Sequence, residues 1–245
     1  MSEKKVIPLH PPQTQPDFDP GAEKASRKNA PQWNYTQVTE NQMKWPHWVL
    51  QWICVQLVKT YTRLNYKLTI LGRENLPKDW IPCVVAANHS SNLDPPLVSV
   101  ALEYRPIAYM AKQELFEKPL MRYYNWMMSS FAVNRERLEL STVKTALRIL
   151  KHGKWSLGIF PEGTRSEDST TVGQPKKGVA YFAKAAKVPI IPLVIVHHTV
   201  TDKNGQPKKA ITIKIGQLIP PDTNLNRLSE TLQQTLQSLA DSVAV

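Results

Sequence analysis

The sequence predicts one α/β domain, in which helices flank a mostly parallel central sheet and a helical segment precedes the domain. From Lys67 onward, short apolar stretches alternate with longer stretches of helical periodicity, a pattern typical of parallel sheets. A chain of 245 residues is also long enough to bury one good-sized core. We therefore divide the chain into residues 1–44, 45–66 and 67–245.

Residues 1–44 form a polar arm with six prolines and few aliphatic side chains. Such a composition buries too little apolar surface to offset the entropy lost on ordering. We expect this arm to be mostly disordered.

Residues 45–66 are rich in aromatic and aliphatic side chains, among them Trp45, Trp48, Trp52 and Tyr61. Trp and Tyr favour the membrane interface, and the basic residues that follow up to Arg73 favour anionic lipid. We therefore expect a helix that lies in the interface of a membrane, on its cytoplasmic face. The alternative is a helix packed on the core of the following domain.

The domain of residues 67–245 contains seven stretches with the composition of strands. They are Leu68–Leu71, Val84–Ala87, Ile107–Ala111, Phe131–Val133, Ser156–Phe160, Ile190–Val196 and Ile211–Ile215. Residues 141–152 form the clearest helix, with Val143, Ala146 and Leu150 on one face and basic residues on the other. A leucine pattern from Leu225 to Leu239 predicts another helix at the end of the chain.

The net charge is +11, and +10 of it lies after Lys44. A basic domain suits anionic partners, such as phosphorylated metabolites, an anionic membrane or nucleic acid. The chain has no zinc-finger or RNA-recognition signature, so we do not expect a nucleic-acid partner. Cys54 and Cys83 lie in apolar stretches, which indicates buried free thiols, and no spacing of ligand residues predicts a metal site.

The segment Asn88–Asp94 follows a predicted buried strand and precedes a predicted helix. Ligands bind in this position, at the carboxyl ends of strands, in open α/β sheets. His89 is suited to proton transfer near neutral pH, and Asp94 could orient it if Ser90, Ser91 and Asn92 form a turn. No Gly-x-Ser-x-Gly nucleophile motif occurs, so the nucleophile would come from the substrate. The alternative is a loop histidine beside an Asp94 that caps the helix.

Polar residues also follow other predicted strands. Lys112 and Arg135 each come just after a strand, and Phe160–Ser166 carries Arg165 in the same position. These three cations could converge on one phosphate, although each alone could be a solvated surface charge. His197 and His198 are neighbours on a strand and therefore face opposite sides, so we interpret them as structural.

Four ordered blocks make the sequence similar to the glycerolipid acyltransferases, which include the 1-acylglycerol-3-phosphate acyltransferases. The blocks are Asn-His-x4-Asp at 88–94, Phe-Ala-Val-Asn-Arg at 131–135, Phe-Pro-Glu-Gly-Thr-Arg-Ser at 160–166 and Val-Pro-Ile-Ile-Pro at 188–192. The resemblance covers roughly residues 68–216. In the second block, Asn134 stands where many relatives have Asp.

The resemblance implies that His89 is the general base on a lipid hydroxyl and that Asp94 orients it. It implies that the acceptor's glycerol phosphate is bound by Lys112, Arg135, Glu162, Gly163, Thr164 and Arg165. The acyl donor would be acyl-coenzyme A or acyl carrier protein, the acceptor lysophosphatidate at a phospholipid surface, and no cofactor or metal is implied. The fourth block would shape the acyl or donor pocket.

Two further functions fit the same residues. The chemistry could act on glycerol 3-phosphate or on another lysophospholipid, because acceptor choice depends on pocket shape. A non-catalytic protein that binds anionic lipid would also be basic, but it would have no chemical need for both His89 and Asp94.

Overall fold

Seven strands form one mixed sheet in the computed structural model, which describes residues 47–134, 140–151, 155–163, 172–173, 176–201 and 203–243. The predicted arm of residues 1–44 and the first residues of the predicted helical segment lie outside these ranges. The strands are β1 (Lys67–Leu71), β2 (Val84–Ala87), β3 (Ile107–Lys112), β4 (Ser130–Val133), β5 (Ser156–Ile159), β6 (Ile190–Thr201) and β7 (Pro207–Ile215). All seven strands predicted from the sequence are therefore present.

The strand order across the sheet is β1-β7-β6-β2-β5-β3-β4. All neighbouring pairs are parallel except β6 and β7, which form a long antiparallel hairpin. The mostly parallel sheet is thus confirmed. Because β2 to β6 all run in one direction, the residues that follow these strands meet at one edge of the sheet.

Six α-helices accompany the sheet in the described part of the chain. They are α1 (His47–Asn65), α2 (Asp94–Ala101), α3 (Pro119–Met127), α4 (Leu140–Lys151), α5 (Gly178–Ala186) and α6 (Leu225–Asp241). The two helices predicted near residues 141–152 and 225–239 correspond to α4 and α6. In α6, residues Leu228, Leu232 and Leu236 face the core at a spacing of four, as the leucine pattern predicts.

The sheet separates two apolar layers because successive strand residues point to opposite faces. On β2, Val84 and Ala86 pack with α4, α5 and α6, whereas Val85 and Ala87 pack with α1 and α2. Five of the described helices therefore cover the sheet from both sides. Cys54 and Cys83 are both buried free thiols in the second layer, as predicted.

Helix α1 packs on the domain through one side only. Cys54, Val55 and Thr62 are buried there, and the buried amide of Gln51 donates hydrogen bonds to the carbonyl oxygens of Ile107 (2.9 Å) and Met128 (3.2 Å). An amide in this place gives two buried backbone acceptors a hydrogen-bond donor. The alternative interpretation, a helix packed on the core, is correct for this side of α1.

The other side of α1 is exposed and apolar. Large side chains stand out from it at helical spacing, with exposed fractions of 43% for Ile53, 68% for Leu57 and 76% for Leu64, and Trp52 and Tyr61 are exposed beside them. We call the exposed side chains of Trp52, Ile53, Leu57, Tyr61 and Leu64 the outer stripe of α1. Among the residues described, no helix combines the length and the apolar composition needed to cross a bilayer.

Candidate active site

The loop between β2 and α2 brings His89 and Asp94 together. His89 Nδ1 lies 2.9 Å from Asp94 Oδ2. The backbone N–H groups of Ser90 and Ser91 donate to the same oxygen, each over 2.7 Å. The turn that the sequence requires between His89 and Asp94 therefore forms, and the Asp94 carboxylate is the group around which it folds.

The alternative interpretation of Asp94 as a helix cap is wrong. Asp94 is itself the first residue of α2, and the flanking Leu93 provides no side-chain cap. The carboxylate turns back to the preceding loop because Ser90 and Ser91 offer it two N–H donors. Its oxygen Oδ2 is thus committed to orienting the loop and the imidazole.

Asp94 is fully buried and ionised. Burial alone would raise the pKa of this carboxyl group, but contacts with His197 and His89 and the N–H groups of Ser91 and Ser90 together hold its pKa below the ordinary value. An ionised carboxylate only accepts hydrogen bonds, so the proton in the bond to His89 sits on Nδ1. The neutral His89 ring therefore keeps a lone pair on Nε2 for a proton acceptor role.

Asn88 fastens this loop to the neighbouring strand β6. Its side-chain amide donates to the carbonyl oxygen of Ile195 (2.9 Å), and its side-chain oxygen accepts from the N–H of Ile195 (2.7 Å). The side chain continues the β2–β6 ladder for one step beyond the last backbone pair, Ala87 with Leu193. The first asparagine of the motif thus has a structural role that its sequence pattern did not reveal.

Phe160 supports the imidazole from the end of β5. Its ring stacks on His89 with the centroids 4.2 Å apart and the planes inclined by 24°. Behind it lies Tyr109, whose hydroxyl donates to the carbonyl of Pro95 in α2 over 2.7 Å. A Cβ on Gly158 would lie 2.5 Å from the Tyr109 ring, so this position needs glycine for the aromatic column to fit. Since β5 lies beside β2, the strand order explains why Phe160 meets His89.

Glu162 and Gly163 follow Phe160 at the same edge. Burial raises the pKa of Glu162, and the charge of Asp94 adds to this, while the backbone N–H groups of His89 and Gly173 act in the opposite direction. Gly163 has a φ of +73°, a conformation that other residues rarely adopt. Glu162 therefore touches the backbone of the His89 loop, although the sequence suggested a contact with substrate.

The structure describes only part of the predicted phosphate site. Lys112 ends β3 at the same edge of the sheet and pairs with Glu114 at 3.0 Å, with about half of each side chain exposed. Arg135, Thr164 and Arg165 lie outside the described residues. The convergence of three cations thus stays a prediction, with Lys112 at the expected edge.

His197 is a residue that sequence analysis left out of the site. It lies on β6, and its Nε2 is 3.6 Å from Asp94 Oδ1. That distance is too long for a hydrogen bond, but it leaves the imidazole in polar contact with the buried carboxylate. The signal that could have revealed it is the adjacency of β6 and β2, which the sequence alone does not contain.

An apolar cavity of about 270 Å³ lies at the end of β5. Its wall includes Phe160, which also stacks on His89. The other apolar lining residues are Met110, Val133, Ile159, Pro161, Val179 and Phe182. The second and third blocks and α5 shape this cavity, whereas Ile190 and Ile191 of the fourth block are core residues of β6. No group of three or more His, Cys, Asp or Glu side chains in the described ranges is arranged to hold a metal ion.

Known proteins resemble this chain in sequence and in fold. The family model described as Acyltransferase matches residues 67–196, which is more than half of the chain and contains all four blocks. The chain belongs to the acyltransferase family. The matched residues run from β1 into β6, so the family region contains the whole His89 loop and its partner Ile195.

Two relatives show how far the similarity extends. A 1-acyl-sn-glycerol-3-phosphate acyltransferase of Chlamydomonas reinhardtii is 31% identical over 76% of this chain and 55% of its own length. The chain thus spans about half of that acyltransferase. One of the same name from Bacillus subtilis is 28% identical over 78% of this chain and 96% of its own length.

A solved structure has the same fold. The 1-acyl-sn-glycerophosphate (LPA) acyltransferase of Thermotoga maritima superposes with a TM-score of 0.60 at 21% identity, covering 91% of this chain and 83% of its own. At that identity the likeness concerns the fold.

Proposed function

We propose that this chain transfers a fatty acyl group from acyl-coenzyme A or acyl carrier protein to the free hydroxyl of 1-acylglycerol 3-phosphate, which gives phosphatidate. The observation that carries the proposal is the contact of 2.9 Å between His89 Nδ1 and the buried Asp94. The names of the relatives support this choice of acceptor.

The reaction needs a base for the acceptor hydroxyl. With its proton on Nδ1, His89 takes the hydroxyl proton on Nε2 as the alcohol oxygen attacks the thioester carbonyl. Asp94 balances the imidazolium that forms. The tetrahedral intermediate then collapses, the C–S bond breaks, and the thiolate leaves with the proton from His89. The new C–O bond joins the acyl group to the acceptor.

The remaining predicted residues would bind the acceptor. Lys112 stands at the edge of the sheet where the reacting groups meet, and Arg135, Thr164 and Arg165 come soon after β4 and β5 in the sequence. Arginine suits a phosphate because its planar guanidinium can donate two parallel hydrogen bonds. Glu162 and Gly163 shape the turn that leads to Thr164 and Arg165.

The membrane would be met through the outer stripe of α1. One side of this helix is fixed to the domain by Gln51, so the exposed side is held in a constant orientation. Its aromatic and aliphatic side chains can enter the headgroup region, and Lys59 and Arg63 in the same helix can meet anionic lipid. The protein would then lie on the cytoplasmic face of the membrane, where its active site can reach a lipid acceptor in the bilayer.

An acceptor panel tests the function. The full chain is assayed with acyl-coenzyme A and acyl carrier protein against lysophosphatidate, glycerol 3-phosphate and a lysophospholipid with a larger head group. We expect the highest kcat/KM with lysophosphatidate and a loss of roughly 10²–10⁴-fold in His89→Ala. A higher kcat/KM with another acceptor would mean that this acceptor, and not lysophosphatidate, is the substrate. Equal turnover by folded His89→Ala would refute the mechanism. Binding of anionic lipid without any turnover would favour the non-catalytic alternative.

A second assay tests the phosphate assignment. Arg165→Ala should raise the KM for lysophosphatidate or lower kcat with a smaller effect on the donor KM, and Arg165→Lys should recover only part of the loss. Arg148→Ala, on the exposed face of α4, is the control for loss of a positive charge. If Arg165→Ala and Arg148→Ala behave alike, Arg165 does not bind the acceptor.

A further inference from the structure

We propose that His197 is a second positioning residue for Asp94, holding the carboxylate oxygen that His89 does not use and thereby setting how tightly His89 binds its proton. This inference rests on the proposed function for its kinetic consequence. The residue lies outside all four blocks that carry the family resemblance.

The place of His197 is fixed by Asn88. The Asn88 side chain pairs with both backbone groups of Ile195, and the strand alternation then puts His197 on the same face of β6, two residues further on. This face is the one covered by α1 and α2, where Ile191, Leu193 and Ile195 are buried. One side chain therefore sets the position of both the His89 loop and His197.

The two oxygens of Asp94 have different surroundings. Oδ2 receives hydrogen bonds from the N–H groups of Ser90 and Ser91 and from His89. Within the described ranges no hydrogen bond reaches Oδ1, which is fully buried and lies 3.6 Å from His197 Nε2. A buried carboxylate oxygen without a donor is costly, so a small rotation of His197 toward Oδ1 is favourable.

In the described ranges, charged groups on the Asp94 side of His197 come from α2 and from the loops after β2 and β5. Asp94 faces it from α2, and His89 shares that carboxylate from the loop after β2. Glu162, from the loop after β5, interacts with Asp94 through its charge. On β7 the residue paired with His197 is Ile211, which carries no charge. The carboxylate of Asp94 is thus shared between two imidazoles.

Because Asp94 is shared by two imidazoles, His197 should lower the proton affinity of His89. A neutral His197 that donates to Oδ1 withdraws negative charge from Oδ2, and a protonated His197 opposes the His89 imidazolium directly. In both cases His197 weakens the hold of His89 on its proton, which suits a base that must return the proton to the leaving thiolate. Removal of His197 should therefore move the acid limb of the pH–rate profile to higher pH.

The experiment compares three variants of the full chain. His197→Leu removes the donor, His197→Gln keeps an N–H group near the place of Nε2 without titrating, and His198→Leu changes the next residue, which points to the opposite face. The kcat/KM for lysophosphatidate is measured from roughly pH 5.5 to 9, the range over which a histidine base commonly controls the rate. Thermal unfolding confirms that each variant is folded.

We expect His197→Leu to lower kcat by about tenfold, with little change in acceptor KM, and to move the acid limb up by roughly half a pH unit. His197→Gln should recover most of kcat, and His198→Leu should leave the profile in place. A His197→Leu profile that superposes on the parent profile would overturn the proposal. So would an equal shift in His198→Leu.

Imidazole NMR separates this inference from the proposed function. If the parent chain transfers no acyl group to any acceptor, the proposed function fails, and the titration of His89 in the parent and in His197→Leu still decides the role of His197. A higher midpoint in His197→Leu supports it, and an unchanged midpoint refutes it. If His197→Leu does not fold, the same two comparisons are made with His197→Phe, which keeps a planar ring but carries no N–H donor.

Discussion

The loop of residues 88–94 and the helix α1 both contact α2 and its layer of the core, but different forces hold them in place. The loop is fixed by hydrogen bonds to buried groups, of which Asp94 Oδ2 receives three and Ile195 exchanges two with Asn88. Helix α1 is fixed largely by apolar packing on one side, joined by the two hydrogen bonds of Gln51, and its other side presents apolar groups to the solvent. Directional hydrogen bonds fix the geometry of the loop, whereas the exposed parts of the outer stripe are available for an outside partner.

The largest effect should come from breaking the centre of the loop. Asp94→Asn should lower kcat by roughly 10²–10⁴-fold, because an amide cannot balance the His89 imidazolium and can also donate to Nδ1. Steady-state acyl transfer to lysophosphatidate measures this, with circular dichroism to confirm the fold. Asp79→Asn is the matched control, since Asp79 is an exposed acid away from the loop. A folded Asp94→Asn with parent-like kcat would contradict the role of the carboxylate.

Asn88→Ala tests the link between the loop and β6. It leaves the N–H and carbonyl groups of Ile195 buried without their partner, which should lower the free energy of unfolding by about 1–3 kcal/mol. Urea denaturation measures the loss. Asn65→Ala, at an exposed amide bonded within α1, should change stability by less than about 0.5 kcal/mol. If the two variants lose equally little, the pairing with Ile195 does not hold the loop.

Substitutions in the outer stripe of α1 should weaken membrane binding without lowering stability, unlike Asn88→Ala. The double variant Leu57→Ser/Leu64→Ser should keep its free energy of unfolding within about 0.5 kcal/mol, because both side chains are exposed, yet bind anionic vesicles more weakly. Flotation with vesicles measures binding. Val55→Ser, on the buried side of the same helix, should instead destabilise by about 2 kcal/mol or more. Unchanged flotation of the double variant would place the membrane contact elsewhere.

The smallest effect concerns Glu162, which touches the backbone of the loop. Because its pKa is raised in the folded protein, the unfolded chain ionises first as the pH rises, and folding stability is lost from the ordinary Glu pKa up to the raised one. Glu162→Gln should therefore melt at a higher temperature than the parent at pH 7, and the difference should vanish near about pH 4. Scanning calorimetry at several pH values checks this. A difference independent of pH would mean that ionisation of Glu162 does not affect stability.

The strands, the two longest helices of the domain and the His89–Asp94 pair could be predicted because they depend on local patterns. Each strand is a run of apolar residues, and His89 and Asp94 are joined by a turn of Ser90, Ser91 and Asn92. The contact between His197 and Asp94 could not be predicted, because it depends on β6 lying beside β2. The same holds for Phe160, which meets His89 only because β5 is the other neighbour of β2.

Helix α1 shows a different limit of sequence analysis. The membrane-facing and core-packed interpretations are compatible, because the helix carries apolar side chains on two sides. One side packs on the core, and the other is exposed. Gln51 is a polar residue within an apolar stretch of sequence, yet it is buried and donates to the carbonyl groups of Ile107 and Met128. A polar residue can be buried when carbonyl groups at the start of a strand and the end of a helix accept its hydrogen bonds.

The pairing of Asn88 with Ile195 also determines when during folding the site can form. The two residues are 107 positions apart, so their hydrogen bonds close a loop that contains β3, β4, β5 and the helices between them. Closing so long a loop becomes favourable only after the intervening elements have packed. During synthesis, β2 and the His89 loop leave the ribosome well before β6 exists to receive them. A nascent chain that ends before residue 195 would therefore carry His89 and Asp94 without the strand that holds their loop, and catalytic competence would appear late in folding.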